Sequence, residues 1–394
     1  MPWLETDVCE QRMQFVVQAT ASDANVSALC REYRISRRTG YRWLDRYHRA
    51  GSLVAMTERS RRPTHSPQRT SAAQTAQIVA LRRQYGWAGR KLRVLLAAEG
   101  VTVSTATIDR IIRREGLVDP GESHRPALKR FERATPNELW QMDFKGQYPL
   151  GGSGWCFPLS VLDDHSRYAV GLFALSSTEG APVHRALRTC FERYGVPVAM
   201  LVDHGTPWWS TSNGHGLTTL SVSLIAQGID LIYSGVRHPQ TQGKVERFHR
   251  TLGRRLRQWG VPPDLASFPA ALDRFRAEYN EVRPHEATQL TPPATCYTAS
   301  PRAYVADPPG WTYPSGLEIH RVDQAGCINA GGRRYFVCQA LATHPVGCQR
   351  FDHRLLVRYR HLYIREIDLE TGRSRPLLAR SAGLNQDGDV LPMS

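Results

Sequence analysis

The 394-residue chain lacks any apolar run near the roughly 18 residues that a membrane-spanning helix needs, which excludes a transmembrane protein. Its eight cysteines, at positions 9, 30, 156, 190, 296, 327, 338 and 348, include no Cys-x-x-Cys pair and no His pair at finger spacing. Neither a zinc module nor a disulfide framework is expected. Lysine is scarce too: of 51 basic residues only Lys91, Lys129, Lys145 and Lys244 are lysine, a bias that a GC-rich genome also produces. The opening stretch, residues 1–15, places acids where an export signal carries a basic and then an apolar segment, so a cytoplasmic, nucleoid-associated protein is expected.

What the chain does have is an uneven positive charge. The net value is +15, and residues 1–135 hold 24 Lys and Arg against 13 Asp and Glu, whereas residues 136–300 hold 15 against 14. Such asymmetry points to a polyanion read by the front of the chain and to acidic chemistry in a nearly neutral middle.

Near the start, Asn25 caps a short helix with Val26, Leu29, Cys30 and Tyr33 at helical spacing, and Ser36 caps a second. In that second helix Gly40, Trp43, Leu44 and Tyr47 share one face, while Arg37, Arg38, Tyr41, Arg42 and Arg46 lie on the other. A short helix, a tight turn and a basic helix make a helix-turn-helix reader of double-stranded DNA, against the alternative of a merely solvated basic face. A second unit, helix-turn-helix or winged-helix, spans 71–117, with Leu92, Leu95 and Leu96 before Gly100, then Ser104 capping a helix that carries Ile108, Ile111 and Ile112, with Thr105 and Arg110 opposite. The first unit is placed at 1–56. Residues 57–70, with Arg61 and Arg62, form a basic linker that either follows a DNA backbone or serves as a plain spacer, and 118–137 form a second linker.

The periodicity then changes. Leu139–Phe144, Trp155–Asp163, Tyr168–Leu175, Val198–Val202 and Ile229–Tyr233 read as five strands, with helices before the fourth and fifth and a long helix after His238-Pro239. An α/β core with a mixed sheet is expected over 138–300, followed by a small β-rich domain over 310–380 that suggests a β-barrel. Three acids stand out in the core: Asp143 within the apolar Leu139-Trp140-Gln141-Met142-Asp143-Phe144, Asp203 at the end of the fourth strand, and Glu246 on the long helix. An unpaired carboxylate amid apolar neighbours is costly unless it faces a cluster or a metal, and magnesium prefers a few carboxylate oxygens.

These segments occur in an order that resembles the bacterial insertion-sequence transposases with a retroviral-integrase-type catalytic core, the Asp-Asp-Glu superfamily. The resemblance runs from Trp140-Gln141-Met142-Asp143-Phe144 through Leu162-Asp163-Asp164-His165-Ser166-Arg167 and Val202-Asp203-His204-Gly205-Thr206. It continues with Gln242-Gly243-Lys244-Val245-Glu246-Arg247-Phe248-His249 and ends at Arg283-Pro284-His285. It implies a ribonuclease-H-like fold whose Asp143, Asp203 and Glu246 are catalytic and bind two magnesium ions, with manganese as a substitute. It also implies a transposase that binds element ends, cleaves them at the 3′ end and transfers the strand into target DNA, as a homo-oligomer that brings two ends together. A catalytically inactive DNA-binding regulator derived from a transposase is the alternative, and a nuclease without transfer activity a third reading.

The chain departs from the family in two places: His204 follows the second acid where many relatives carry Asn, and 42 residues separate Asp203 from Glu246, a longer spacing than is common. The surplus is assigned to the polar, Gly-containing loop 208–216. His204 either touches a metal-bound water or a phosphate or serves the structure, and Trp208 and Trp209 either stack on an unpaired base or make an apolar loop contact. Lys244, Arg247 and Arg250 around Glu246 are expected to hold DNA phosphates, and Asp163 and Asp164 to form a turn and local salt-bridge cluster.

Overall fold

The structure, a computed structural model, describes residues 7–58, 69–118, 132–152, 154–210, 216–233 and 243–380. The chain divides into two compact units, 1–72 and 73–394.

The first unit holds α1 (Val8–Ala19), α2 (Val26–Glu32) and α3 (Arg37–Ala50), closed by a short helical turn at Leu53–Met56. The caps act as the sequence implies: Asn25 accepts the amide of Ala28, Ser36 accepts that of Thr39, and Gly51 ends α3 in the left-handed region at φ 62°. α1 was not expected. Its Phe15 and Val16 complete a small core with Cys30, Leu44 and Met56. Gly40 makes that packing possible, because a Cβ there would sit 2.6 Å from Cys30 Sγ and 2.9 Å from the Phe15 ring.

The second unit begins with another three-helix group, α4 (Ala72–Tyr85), α5 (Gly89–Ala98) and α6 (Thr105–Arg114), around Ile78, Trp87, Leu92, Leu96, Ile108, Ile111 and Ile112. Asp109 of α6 accepts the amide of Gly89 at 3.1 Å and so satisfies the first turn of the neighbouring helix.

The core follows as β1 (Leu139–Phe144), β2 (Tyr148–Pro149), β3 (Trp155–Asp163), β4 (Ala169–Leu175), α7 (Gly180–Tyr194) and β5 (Ala199–Val202). Next come the paired β6 (Trp209–Ser210) and β7 (Gly216–Leu217), α8 (Thr219–Ala226), β8 (Asp230–Tyr233), α9 (Gly243–Trp259) and α10 (Phe268–Ala277). The sheet runs β4-β3-β1-β5-β8, with β2 extending the β3 edge. β1, β3 and β4 pair antiparallel; β1-β5 and β5-β8 pair parallel, as a helix crossover between strands requires. This is the ribonuclease-H-like mixed sheet. Both faces are covered: one apolar core gathers Trp140, Met142, Leu187 and Ile225, and the other sets Val245, Phe248, Leu252 and Leu256 of α9 against Leu162, Leu172, Phe268 and Phe275. Four such buried side chains on α9 contribute roughly 1.5–3 kcal/mol each, enough to fix the helix against the sheet.

The C-terminal region comprises β9 (Glu318–Arg321), a hairpin of β10 (Cys327–Ala330) and β11 (Arg333–Phe336), then β12 (Pro345–Phe351), β13 (Arg354–Tyr359), β14 (Leu362–Asp368) and β15 (Ser374–Arg380). The expected barrel is corrected to an antiparallel sheet in the order β15-β14-β13-β12-β9. Among the described residues no pairing joins its two edges. It docks on the core through Arg360, which donates to the Ala226 carbonyl at 3.0 Å, and through His361, whose Nε2 lies 3.1 Å from Asp230 Oδ1. No helix among the described residues is long and apolar enough to cross a membrane.

Candidate active site

β1 and β5 are parallel neighbours, and their register keeps a constant offset of 60 residues from Leu139↔Ala199 to Gln141↔Leu201. Carried two residues further, that offset sets Asp203 opposite Asp143 where both strands end, the edge at which open α/β sheets present their polar groups. Asp143 leaves the buried run Leu139–Met142 at the point where β1 becomes half-exposed. Asp203 is half-buried and accepts the amide of Gly205 at 3.1 Å. Glu246 is exposed in the first turn of α9.

The three acids share one electrostatic neighbourhood. Burial, then the charge of Asp203 and more weakly that of Glu246, push the Asp143 carboxyl up to about 6, against the opposing Phe144 amide and Lys145. The charges thus converge, but among the described residues no three His, Cys, Asp or Glu side chains are grouped closely enough to hold a metal ion as they stand.

Side chains that the sequence reading did not place in the site surround these acids. His249, one helical turn after Glu246, is buried with Nε2 2.9 Å from Ser160 Oγ and Nδ1 3.8 Å from Asp143 Oδ2. Burial, and secondly the charge of Lys145, lower its pKa to about 3, so the ring is neutral. A basic-looking motif residue thus proves to be a core imidazole; its only sequence signal is spacing, three after Glu246 and in step with Val245, Phe248 and Leu252.

Asp163 and Asp164 form the turn cluster expected of them. Asp163 accepts the amides of Asn137 (2.7 Å) and Ser166 (2.8 Å), and Asp164 accepts the Arg133 amide and the Gln141 side-chain amide. Lys244 belongs to this cluster, with Nζ 2.5 Å from Asp164 Oδ1. The expectation of a phosphate-holding Lys244 is therefore corrected: a fully buried carboxylate engages its ammonium, and the residue ties α9 to the end of β3. Arg247 and Arg250 stay exposed, whereas Arg255 is buried and pairs with Glu278 beneath Trp259.

Trp208 is 2% exposed, with its ring 6.4 Å from that of Phe144. Of its two readings the apolar contact is the one the packing allows, since a buried ring offers no face to a base. Trp209 is half-buried and packs with Tyr233 and His204, and His204 lies exposed beside Asp203. The remainder of the loop, 211–215, lies outside the described residues, as do Arg61 and Arg62.

On α3, Arg37, Arg38, Tyr41 and Arg42 are exposed together. Arg46 differs: half-buried, it lies over the Trp43 ring at 4.9 Å and donates to the Thr57 carbonyl at 2.9 Å, which turns it toward the unit's own closing turn. On α6, Arg110 is exposed and Thr105 half-buried.

Several parts of the chain are similar to known domains. Residues 133–239 and 227–293 match the Integrase core domain, 11–64 a Helix-turn-helix domain and 39–112 a Homeodomain-like domain. The uncharacterized 31.7 kDa protein of insertion element IS407 from Burkholderia multivorans is 28% identical over 243 residues, covering 60% of this chain and 83% of that protein. The transposase for transposon Tn552 of Staphylococcus aureus is 27% identical over 189 residues, 41% of this chain and 37% of its own. Among solved structures, the catalytic core domain of HTLV-2 integrase in complex with magnesium is 15% identical with a TM-score of 0.30, over 38% of this chain and 90% of that one. The chain carries an integrase core domain behind N-terminal helix-turn-helix domains and is similar to insertion-element transposases.

Proposed function

We propose that the protein is a DNA transposase that binds the ends of its element, cleaves each at the 3′ side and joins the freed 3′ hydroxyl to target DNA, using Asp143, Asp203 and Glu246 to hold magnesium. The observation that carries this reading is the convergence of three acidic charges on Asp143, whose pKa is pushed up to about 6 by burial and by the charges of Asp203 and Glu246. Hard oxygen donors that repel one another fit a hard divalent cation, whose charge offsets the repulsion. The fit rests on charge and donor type; a closed cage of three ligands is not preformed among the described residues. When bound, a magnesium pair activates the attacking oxygen and stabilises the leaving one.

The chain's own residues account for the remainder. In cleavage, water oxygen bonds to phosphorus and the 3′ oxygen leaves as the hydroxyl; in transfer that hydroxyl bonds to a target phosphorus and displaces the target's own 3′ oxygen, so no energy cofactor is required. Arg247 and Arg250, exposed on α9 within four residues of Glu246, position phosphates without reading sequence. The exposed face of Arg37, Arg38, Tyr41 and Arg42 supplies end recognition in the major groove. Two ends must be held at once, which requires an assembly of copies on DNA.

One other reading is a DNA-binding regulator with an inert core. Cleavage of an end-labelled duplex separates the two. No cutting is expected in chelator, cutting with magnesium or manganese, and end binding without cutting in calcium, whose longer, looser coordination holds the reacting oxygens poorly. Cutting in chelator, or none with either magnesium or manganese on verified ends, contradicts the proposal.

A further inference from the structure

His249 is 7% exposed on a helix whose neighbouring Arg247, Arg250, Arg254 and Arg257 all face solvent. Its ring enters the sheet at one cross-strand pair, Asp143 of β1 and Ser160 of β3, which are register partners. Nε2 meets Ser160 Oγ at 2.9 Å, and Nδ1 stands 3.8 Å from Asp143 Oδ2.

Two consequences follow from this placement. An ionised Asp143 attracts an N–H and repels a lone pair, so the tautomer with its proton on Nδ1 is favoured, and the fully buried Ser160 hydroxyl then donates to Nε2. At 3.8 Å the Nδ1–H does not make a hydrogen bond; it acts as an oriented dipole beside the carboxylate. The second consequence is mechanical. Glu246 precedes His249 by three residues, so both lie on one side of α9. A ring held between β1 and β3 fixes the rotation and axial position of that helix, and with them the direction from which Glu246 approaches Asp143.

We infer that His249 is a positioning residue: anchored by Ser160, it orients the Asp143 carboxylate and keeps α9 in the rotation that presents Glu246. The inference rests on the proposed reading of the three acids as cation ligands. Groups that orient metal ligands typically change metal affinity by about 10–100-fold when removed.

The test is manganese binding to the full chain without DNA, followed by loss of the free-ion electron paramagnetic resonance signal. His249→Phe preserves bulk and removes both nitrogens. His249→Asn keeps a donor near the Nδ1 position. His249→Phe is expected to bind manganese roughly tenfold more weakly, His249→Asn, which keeps the donor beside Asp143 but does not reach Ser160, to regain part of that loss, and both to retain wild-type end binding by gel shift and a cooperative melt. Wild-type manganese affinity in His249→Phe, or an equal defect in His249→Asn, overturns the inference. Should His249→Phe not fold, Ser160→Ala decides: a severalfold loss supports the anchor and an unchanged affinity overturns it. Asp143→Asn distinguishes the two levels. If it binds manganese like wild type, the reading of the acids fails and this inference with it; if Asp143→Asn loses binding and His249→Phe does not, only this inference fails.

Discussion

Asp143 lies near the end of β1 and Asp203 directly follows the end of its parallel neighbour β5, so the register of the two strands, continued by two residues, brings the two acids level. The consequence is chemical: burial and the negative charge of Asp203 hold the Asp143 carboxyl near 6, well above the ordinary carboxylate range. The core therefore carries, at the edge of a well-packed sheet, a charge that the fold alone does not stabilise.

That charge sets a pH dependence. Asp143 keeps its proton in the folded chain up to about pH 6 but loses it near 3.8 when unfolded. The folded state binds more protons between those values, so this group's contribution to stability falls as pH rises from 4 to 6. In metal-free buffer Asp143→Asn should raise stability on the order of 2 kcal/mol above pH 6, with no difference below pH 4. Paired thermal melts at pH 4 and pH 7 check this, and a destabilised variant at pH 7 speaks against the repulsion.

Gly40→Ala should destabilise the first unit. Its Cβ would fall within 3 Å of both Cys30 Sγ and the Phe15 ring, where three helices meet. Overpacking of this kind costs about 1–3 kcal/mol. Urea unfolding of the full chain should show an earlier transition for helical signal from this unit, with the core transition in place; an unmoved profile would mean that α1 is not packed there.

Alanine at Arg37, Arg38 and Arg42 should reduce discrimination between element-end and random duplexes. Loss of base-edge contacts weakens the cognate complex by about 1–3 kcal/mol per bidentate pair and leaves random DNA less affected. Competition gel shifts at fixed salt measure the ratio. Equal weakening of both duplexes would reduce this face to phosphate contacts.

Much of this was legible before any coordinates. An Asp inside Leu-Trp-Gln-Met-Asp-Phe and a second at the end of an apolar strand mark the candidate site locally, because an acid in a buried strand contradicts its own surroundings. The strands were legible for the same reason: buried on both faces, they read as continuous apolar runs. What stayed hidden depends on distant partners. Lys244 looks like a phosphate ligand until Asp164, 80 residues away, takes its ammonium. His249 looks like part of a basic helix until Ser160, 89 residues away, receives its ring. α1 and α4 escaped notice because apolar and polar residues mix around both helices, and only the packing of Phe15 and Ile78 reveals the inner face. Whether the C-terminal strands close into a barrel depends on which edges pair, which strand periodicity does not encode.

The central claim is that the three acids perform the chemistry and take no part in recognition. Its most direct test is 3′-end cleavage of a labelled end duplex with magnesium by wild type, Asp143→Asn, Asp203→Asn and Glu246→Gln, each run beside a gel shift on the same duplex. The expected result is loss of at least a hundredfold in cleavage for every variant, the scale on which orienting and charge-stabilising groups act, with end binding within about twofold of wild type because the readers on α3 are untouched. Cleavage by Asp143→Asn at a rate near that of wild type would contradict the account.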